Sequence, residues 1–232
     1  MVDENKPIMI PCPAFDWSFF VHNMRNSIGV ASVSLDSALK ATPELREKHL
    51  QLAHAAVKNA VADLESFNEI SRPLEMTPRK EDLSALARDV ACGHPVASGS
   101  VPMGTDLAGG LVVGLDAKLM RQALTAVLDN CLEALAEAGA SSAISVATSR
   151  DPAGRAVLSV SMTGRSASDD RFGGLGAPFF TRKANKRGLG LAWTQRIVQA
   201  HGGTVEFRTP AEGGFAVVMS LPLENAGKQG AA

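Results

Sequence analysis

The sequence predicts an α+β protein in which an N-terminal helical hairpin precedes an α/β sandwich. Two observations lead to this prediction. Over the first third of the chain, apolar residues recur at alternating intervals of four and three, as they do in packed helices. The remainder mixes short alternating segments with amphipathic ones, a pattern typical of a sheet covered by helices on one face.

The composition of the 232-residue chain excludes several classes of function. A net charge of −1 gives no drive toward nucleic acid or an anionic membrane, so neither partner is expected. No apolar run approaches the roughly 20 residues that span a bilayer, and no signal peptide is recognisable. Cys12, Cys92 and Cys131 lack the spacing of a disulfide framework or a metal site. We therefore expect a cytoplasmic protein without membrane insertion.

The hairpin is predicted from two apolar seams joined by a short turn. Thr42, Pro43 and Glu44 together form the pattern of a helix start, and Pro73 marks the end of the second helix. A hairpin buries only one stripe, so we expect two copies to form a dimeric four-helix bundle, the alternative being a hairpin packed on its own domain. The seams are Trp17, Val21, Met24, Ile28, Ala31, Leu35 and Ala38, and Leu50, Ala53, Val57, Ala60, Leu64 and Phe67.

The same patterns divide the chain into five regions. We expect a flexible arm over 1–14, the hairpin over 15–72, a linker over 73–80, an α/β domain over 81–223 and a disordered tail over 224–232. Within the α/β domain the predicted helices are 82–91, 116–138 and 189–200, and the predicted strands are 143–148, 156–161, 204–208 and 215–221.

The first motif with chemical potential is the run Phe-Val-His-Asn-Met-Arg-Asn-Ser-Ile-Gly on the first predicted helix. His22 follows a seam residue, so its ring should lie partly in solvent. Arg25 and Asn26 come one turn later and share its face. An imidazole with a free ring nitrogen can accept a phosphoryl group, whose oxygens a guanidinium and an amide can hold. Taken alone, such a histidine is more often an ordinary surface residue.

A second motif, Gly188-Leu189-Gly190, stands directly before a predicted helix. Glycines in this position expose backbone amides at the positive end of the helix, where a phosphate can bind. Four cations precede or adjoin it: Arg182, Lys183, Lys186 and Arg187. They suit a phosphate or an acidic partner surface, and a solvated basic loop is the plain alternative.

Together these motifs resemble those of two-component sensor histidine kinases, over roughly residues 15–223. His22, Arg25 and Asn26 match the phosphoacceptor box of that family, and residues 177–203 are close to a signature of its ATP-binding half. The resemblance implies a helical dimerisation and phosphoacceptor domain followed by an ATPase domain of the Bergerat type. It implies that His22 is the phosphoacceptor, with Arg25 and Asn26 steadying the phosphoryl group.

The resemblance also implies where ATP and Mg²⁺ would bind. Asn130 matches the asparagine box, as do Asp116, Gln122 and Leu124, and would be the magnesium ligand if ATP binds; the alternative is a core helix with one outward polar residue. The other implied ATP-binding residues are Gly164, Lys183, Gly188, Leu189 and Gly190.

Three departures from the family pattern concern ATP chemistry. Asn23 stands where the family has an acid that acts as a base beside the histidine, and an amide cannot accept that proton. Met162 replaces the aspartate that accepts a hydrogen bond from adenine. Ala126 replaces the first asparagine of the asparagine box. We therefore expect binding of ATP and Mg²⁺ to be weak or absent.

These observations predict a homodimeric histidine phosphotransfer protein that relays phosphate through His22 to or from receiver-domain aspartates of response regulators. The receiver would contribute the Mg²⁺, and a hybrid histidine kinase is a further candidate partner. One alternative is the catalytic core of an ATP-dependent sensor histidine kinase. Another is a non-enzymatic pseudokinase that sequesters a response regulator. Asn26 also permits a phosphatase role, because its amide could orient water toward an aspartyl phosphate.

Overall fold

A computed structural model of the chain describes residues 8–12, 14–98, 102–138, 143–163, 176–180, 187–208 and 214–224. The chain divides into two compact units. The hairpin unit comprises residues 11–73 and 177–189, and the sheet unit comprises residues 1–10, 74–176 and 190–232.

The helices and strands that the sequence predicted are present in the predicted order, together with strands that it did not predict. The helices are α1 (Ser18–Lys40), α2 (Pro43–Ser71), α3 (Leu83–Gly93), α4 (Ala117–Ala138) and α5 (Gly190–Ala200). The strands are β1 (Ile8–Ile10), β2 (Leu74–Met76), β3 (Arg79–Asp82), β4 (Met103–Leu107), β5 (Val112–Leu115), β6 (Ile144–Arg150), β7 (Ala156–Met162), β8 (Thr204–Arg208) and β9 (Phe215–Leu221).

Helices α1 and α2 form the predicted hairpin and meet through small side chains. Pro43 occupies the first turn of α2, as expected, but the Thr42 hydroxyl makes no capping hydrogen bond. Small residues at the contact allow the two helix backbones to approach closely. The buried positions are Ala31, Ser34 and Ala38 on α1 and Ala53, Ala56, Ser66 and Ile70 on α2.

The larger side chains of the predicted seams lie in solvent in the single chain. Exposed fractions are 52% for Val21, 58% for Ile28 and 47% for Leu35. On α2, Val57 and Leu64 are about as exposed, at 49% and 45%. The hairpin therefore presents a continuous apolar face, and its burial against a second copy stays a prediction.

The sheet unit is built on a mixed five-stranded sheet. The strand order is β4-β6-β7-β9-β8, with β4 and β6 parallel and all other neighbours antiparallel. Alternate residues of β7 are buried, and those between them are half-buried. This alternation indicates one face packed in the core and the other partly in solvent. Helices α3, α4 and α5 supply buried apolar residues to the same core, as the predicted fold class requires.

Two short antiparallel ladders lie where the sequence predicted no regular structure. β1 pairs with β2, and β3 pairs with β5. The expected arm over 1–14 thus contains a strand, and the expected linker over 73–80 contains β2 and the first residues of β3. These strands have three or four residues each, too short to show an alternating pattern, and each is stabilised by a ladder partner distant in sequence.

Within the residues that the structure describes, no helix is long and apolar enough to cross a membrane.

Candidate functional site

His22 lies on an exposed part of α1 with a side-chain amide against its ring. Asn26 Nδ2 is 2.9 Å from His22 Nε2, one helical turn away. An amide nitrogen only donates hydrogen bonds, so Nε2 accepts, and the neutral ring carries its proton on Nδ1. Arg25, also exposed, follows at the spacing that puts it on the same side of the helix. The structure therefore brings His22 and Asn26 into contact and places Arg25 one turn from His22, and the roles of the three residues stay a prediction.

Asn23 is the neighbour of the histidine and makes a different contact. Its side chain is half-buried, and Nδ2 donates a hydrogen bond of 3.4 Å to the carbonyl oxygen of Phe179. Both residues belong to the hairpin unit. The amide at this position thus holds another segment of the chain.

An aromatic cluster surrounds this contact within the hairpin unit. The Phe20 and Phe67 rings stack with centroids 4.6 Å apart, and the Trp17 ring meets Phe67 edge-on at 4.9 Å. Phe179 lies 5.0 Å from Phe20, and Phe180 lies 4.9 Å from Phe19. Such ring pairs contribute about 0.5–1.5 kcal/mol each beyond the area that they bury. The periodicity of α1 alone did not reveal this cluster.

Gly188 lies beside Phe180 in the hairpin unit and requires the freedom of glycine. Its φ is +67°, and a Cβ at this position would come within 2.3 Å of the Phe180 carbonyl oxygen. Any other residue would be strained here and would push Phe180 away. The glycine thus makes a close backbone approach. Leu189 follows it at the end of the hairpin unit.

In the sheet unit, Asn130 and Gly190 lie side by side. Asn130 Nδ2 donates to the Ala126 carbonyl at 2.9 Å, which leaves Oδ1 as an acceptor. A Cβ on Gly190 would come within 3.3 Å of Asn130 Nδ2, so the glycine makes room for the amide. The Thr194 hydroxyl, which donates to the Ala123 carbonyl at 3.2 Å, ties α5 to α4.

These residues fit a nucleotide phosphate and its cation in part. Asn130 Oδ1 suits Mg²⁺, and the backbone amides that open α5 at Gly190 suit a phosphate. Met162 has a different character, because it ends β7 in the apolar core with only 6% of its surface exposed. Its thioether cannot replace a carboxylate toward adenine. Among the described residues, Asn130 and Gly190 thus match the phosphate side of the ATP site that the resemblance implies, whereas the position that it gives to the adenine-binding acid carries Met162.

An open groove along α4, which the sequence reasoning missed, adjoins Ala126. Asp129, at one end of it, lies 3.2 Å from Nε2 of the buried His94. Arg121 forms an exposed ion pair with Asp89 at 2.9 Å. The groove could have been predicted from the sequence, because its lining residues recur at intervals of three and four along one face of α4. The lining residues are Lys118, Arg121, Gln122, Thr125, Ala126 and Asp129.

Two predicted ATP-binding residues, Gly164 and Lys183, lie outside the described residues. Among those that the structure does describe, no group of three His, Cys, Asp or Glu side chains is arranged to hold a metal ion.

Comparisons with known proteins show what this chain is similar to. Residues 115–225 match the family described as histidine kinase-, DNA gyrase B- and HSP90-like ATPase. The sensor histidine kinase ZraS of Escherichia coli is 37% identical over 101 residues, which are 43% of this chain and 22% of ZraS. Sporulation kinase C of Bacillus subtilis is 22% identical over 208 residues, 88% of this chain and 47% of that kinase. The chain thus carries an ATPase domain of the histidine kinase type and is similar to two-component sensor histidine kinases.

The chain also shares its fold with solved structures. Full-length ShkA in complex with AMPPNP is 20% identical with a TM-score of 0.59, over 92% of this chain and 47% of ShkA. Histidine kinase ThkA in complex with the response regulator protein TrrA is 21% identical with a TM-score of 0.57, over 88% of this chain and 60% of that chain. The chain thus spans less than half the length of the curated relatives described above, 22% of ZraS and 47% of sporulation kinase C.

Proposed function

We propose that this chain is a histidine phosphotransfer protein that relays phosphate through His22 to and from receiver-domain aspartates of response regulators. The observation that carries the proposal is the pair of amides on α1. Asn26 donates to His22 Nε2, and Asn23 donates to the Phe179 carbonyl. The residue next to the histidine is thus a hydrogen-bond donor and not a base. An exposed imidazole in this setting suits an acyl phosphate, a more reactive donor than ATP.

The proposed step is an in-line transfer to Nε2 of His22, the ring nitrogen that carries the lone pair. The N–P bond forms as the P–O bond to the receiver aspartate breaks, and the aspartate leaves as a carboxylate with the bonding electrons. The ring proton stays on Nδ1. Asn26 releases Nε2 during the attack and, with Arg25, then holds phosphoryl oxygens. The Mg²⁺ for this step belongs to the receiver, and the same step in reverse returns the phosphate.

The proposed functional form is a cytoplasmic homodimer. We take residues 15–72 as its dimerisation and phosphoacceptor domain, residues 81–223 as its ATPase-type domain, and propose that two hairpins form a four-helix bundle. The exposed apolar residues Val21, Ile28 and Leu35 support this assembly, because a second copy would remove them from water. The complex of the related ThkA with a response regulator supports a receiver domain as the partner.

A second candidate function is the core of an ATP-dependent histidine kinase. The pairing of Asn130 with Gly190 and the match of residues 115–225 to an ATPase family favour it. Bound ATP would supply the phosphoryl group for His22. Against this candidate, replacing the adenine-binding acid by Met162 removes a buried hydrogen bond, a loss of about 1–3 kcal/mol. That loss corresponds to an affinity roughly fivefold to over a hundredfold weaker.

The experiment that tests the proposal is transfer from receiver domains phosphorylated with acetyl phosphate. A panel of purified receivers is freed of acetyl phosphate and mixed with the chain. We expect at least one receiver to label wild-type protein and His54→Ala but not His22→Ala, since His54 is an exposed histidine elsewhere on the hairpin. Calorimetry with ATP and Mg²⁺ tests the second candidate, and micromolar binding would favour it. Receiver binding without any labelling would point instead to a sequestering protein.

A further inference from the structure

Both described ends of the Ala177–Leu189 segment contact the helical hairpin. At the first end, the Phe179 ring is almost fully buried, at 1% exposed, with its centroid 5.0 Å from that of Phe20. The Phe180 ring meets Phe19 edge-on at 4.9 Å. Phe19 and Phe20 belong to the turn of α1 that precedes His22. Residues 179 and 180 therefore pack on the hairpin directly beside the candidate phosphoacceptor.

The backbone of Phe179 is shaped for this contact. Its φ of +66° makes it the one non-glycine residue with a left-handed backbone among the residues described. L residues other than Asn and Asp rarely adopt this conformation, so surrounding contacts must stabilise it. The buried ring is one such contact, and the hydrogen bond from Asn23 Nδ2 to the Phe179 carbonyl is the other.

The second end of the segment is held through Arg187. Its guanidinium donates to the Ser66 hydroxyl of α2 at 2.9 Å, and Ser66 is buried. Burial raises the pKa of the Asp63 carboxyl, one turn before Ser66, and the Arg187 charge partly offsets that rise. Gly188 then packs against the backbone of Phe180. The two ends thus meet each other and contact both helices of the hairpin.

We propose that Asn23 is a positioning residue that holds residues 177–180 against the helix of His22. The position beside the histidine is used for docking: the amide supplies the N–H that the Phe179 carbonyl accepts. A carboxylate of the same shape has no hydrogen to donate and would repel that carbonyl. This docking role is independent of the phosphate source, so it holds for either candidate function.

Hydrogen exchange of the intact chain tests this role. We compare Asn23→Asp with Asn59→Asp, which makes the same change at an exposed asparagine of α2. In Asn23→Asp, we expect the backbone amides of residues 177–180 and 187–189 to exchange roughly two- to tenfold faster than in wild-type protein, the range that one net hydrogen bond provides. In Asn59→Asp, we expect them to exchange at the wild-type rate. Asn23→Ala serves as a second variant that removes the donor without adding charge. Equal exchange of both segments in all three variants would overturn the proposal.

A spectroscopic readout separates positioning from a general effect on stability. Nuclear magnetic resonance spectra of Phe180→Ala and of wild-type protein are compared, since both contain Asn23. The side-chain amide signals of Asn23 should shift in Phe180→Ala, because residues 177–180 are then held less firmly, while those of Asn59 should not shift. Asn23 signals that do not respond to Phe180→Ala would overturn the proposal. Neither measurement uses phosphate transfer, so a failure of the relay function would be seen separately, as the absence of labelling at His22.

Discussion

At the scale of single residues, the chemistry of α1 depends on whether a side-chain amide donates or accepts a hydrogen bond. Asn26 donates to His22 Nε2 and so engages the lone pair of that ring nitrogen. Asn23 also donates, but to the Phe179 carbonyl. An acid at position 23 would accept a proton where the amide gives one. One change of side-chain chemistry therefore separates a docking contact from a general base.

His201 provides a residue-scale prediction on stability and pH. Its buried ring accepts a hydrogen bond from the Asp116 amide at Nε2 and donates one to the Ile197 carbonyl from Nδ1. Burial lowers the pKa of His201 below its ordinary value of 6.5, against smaller opposing effects of Ile197 and Asp116. The pKa of His201 is therefore lower in the folded chain than in the unfolded chain. Its contribution to the free energy of unfolding is complete above pH 6.5 and declines as the pH falls toward the folded pKa.

Urea unfolding at pH 7.5 and pH 5.5 measures this effect. We expect wild-type protein and the exposed-site control His54→Gln to lose free energy of unfolding on acidification. His201→Gln should be less stable at pH 7.5 and should lose less between the two pH values. An unchanged pH dependence in His201→Gln would contradict the prediction.

At the scale of elements, local patterns and distant pairings differ in how far the sequence predicted them. The bounds of β8 and β9 and the start of α2 at Pro43 were predicted as observed, because turn residues and alternating side chains mark them locally. The β1–β2 and β3–β5 ladders were missed because their partners are far apart along the chain.

The candidate site divides in the same way. The grouping of His22, Arg25 and Asn26 follows from their spacing of three and four residues on one helix, which can be read directly from the sequence. The contact of Asn23 with Phe179 joins residues 156 positions apart, and no local pattern encodes it. Asn130 and Gly190 were expected in one ATP site only through the family resemblance, and the contact between them depends on how α4 and α5 pack.

The turn between α5 and β8 provides an element-scale prediction. A Cβ on Gly203 would come within 2.6 Å of the Ser220 carbonyl oxygen and of a Val198 methyl group. Gly203→Ala should therefore lower the free energy of unfolding by about 1–3 kcal/mol through overpacking. In Gly29→Ala, the new methyl group meets nothing within 4 Å on α1, and the change should stabilise the chain by about 0.5–1 kcal/mol.

Urea denaturation of both glycine variants at one protein concentration checks this pair. The opposite signs are the informative result, since both changes add the same methyl group. Equal free energies of unfolding of Gly203→Ala and wild-type protein would contradict the prediction, because β9 and α5 would then move apart at no cost in stability.

At the scale of the whole molecule, the chain consists of two units with different surfaces. The sheet unit encloses an apolar core under one face of its sheet, whereas most of the large seam residues of the hairpin unit are exposed to water. Scattered exposed apolar residues are normal, but a continuous stripe along two helices indicates a partner. The proposed dimer covers this stripe and would present two copies of His22.

Dimerisation gives the whole-molecule prediction. Ile28 lines an apolar groove with Val57 and Leu64 and is 58% exposed. Ile28→Glu should weaken the dimer at least roughly a hundredfold, because the symmetric interface loses about 1.5–3 kcal/mol twice. The control Val33→Glu changes a residue outside the seam that is 66% exposed, and we expect no effect.

Sedimentation equilibrium of the three proteins measures their dissociation constants. A monomeric wild-type protein at micromolar concentration would contradict the bundle, and so would equal weakening by both glutamate substitutions.

The most direct test of the relay function is a side-by-side labelling of one sample of the chain. One half receives radiolabelled ATP with Mg²⁺, and the other receives radiolabelled receiver domains that carry aspartyl phosphate. We predict that the receiver labels His22 within a time in which ATP gives little signal. We predict no labelling of His22→Ala from either source. Rapid labelling of His22 from ATP alone would contradict the relay and establish the chain as a kinase.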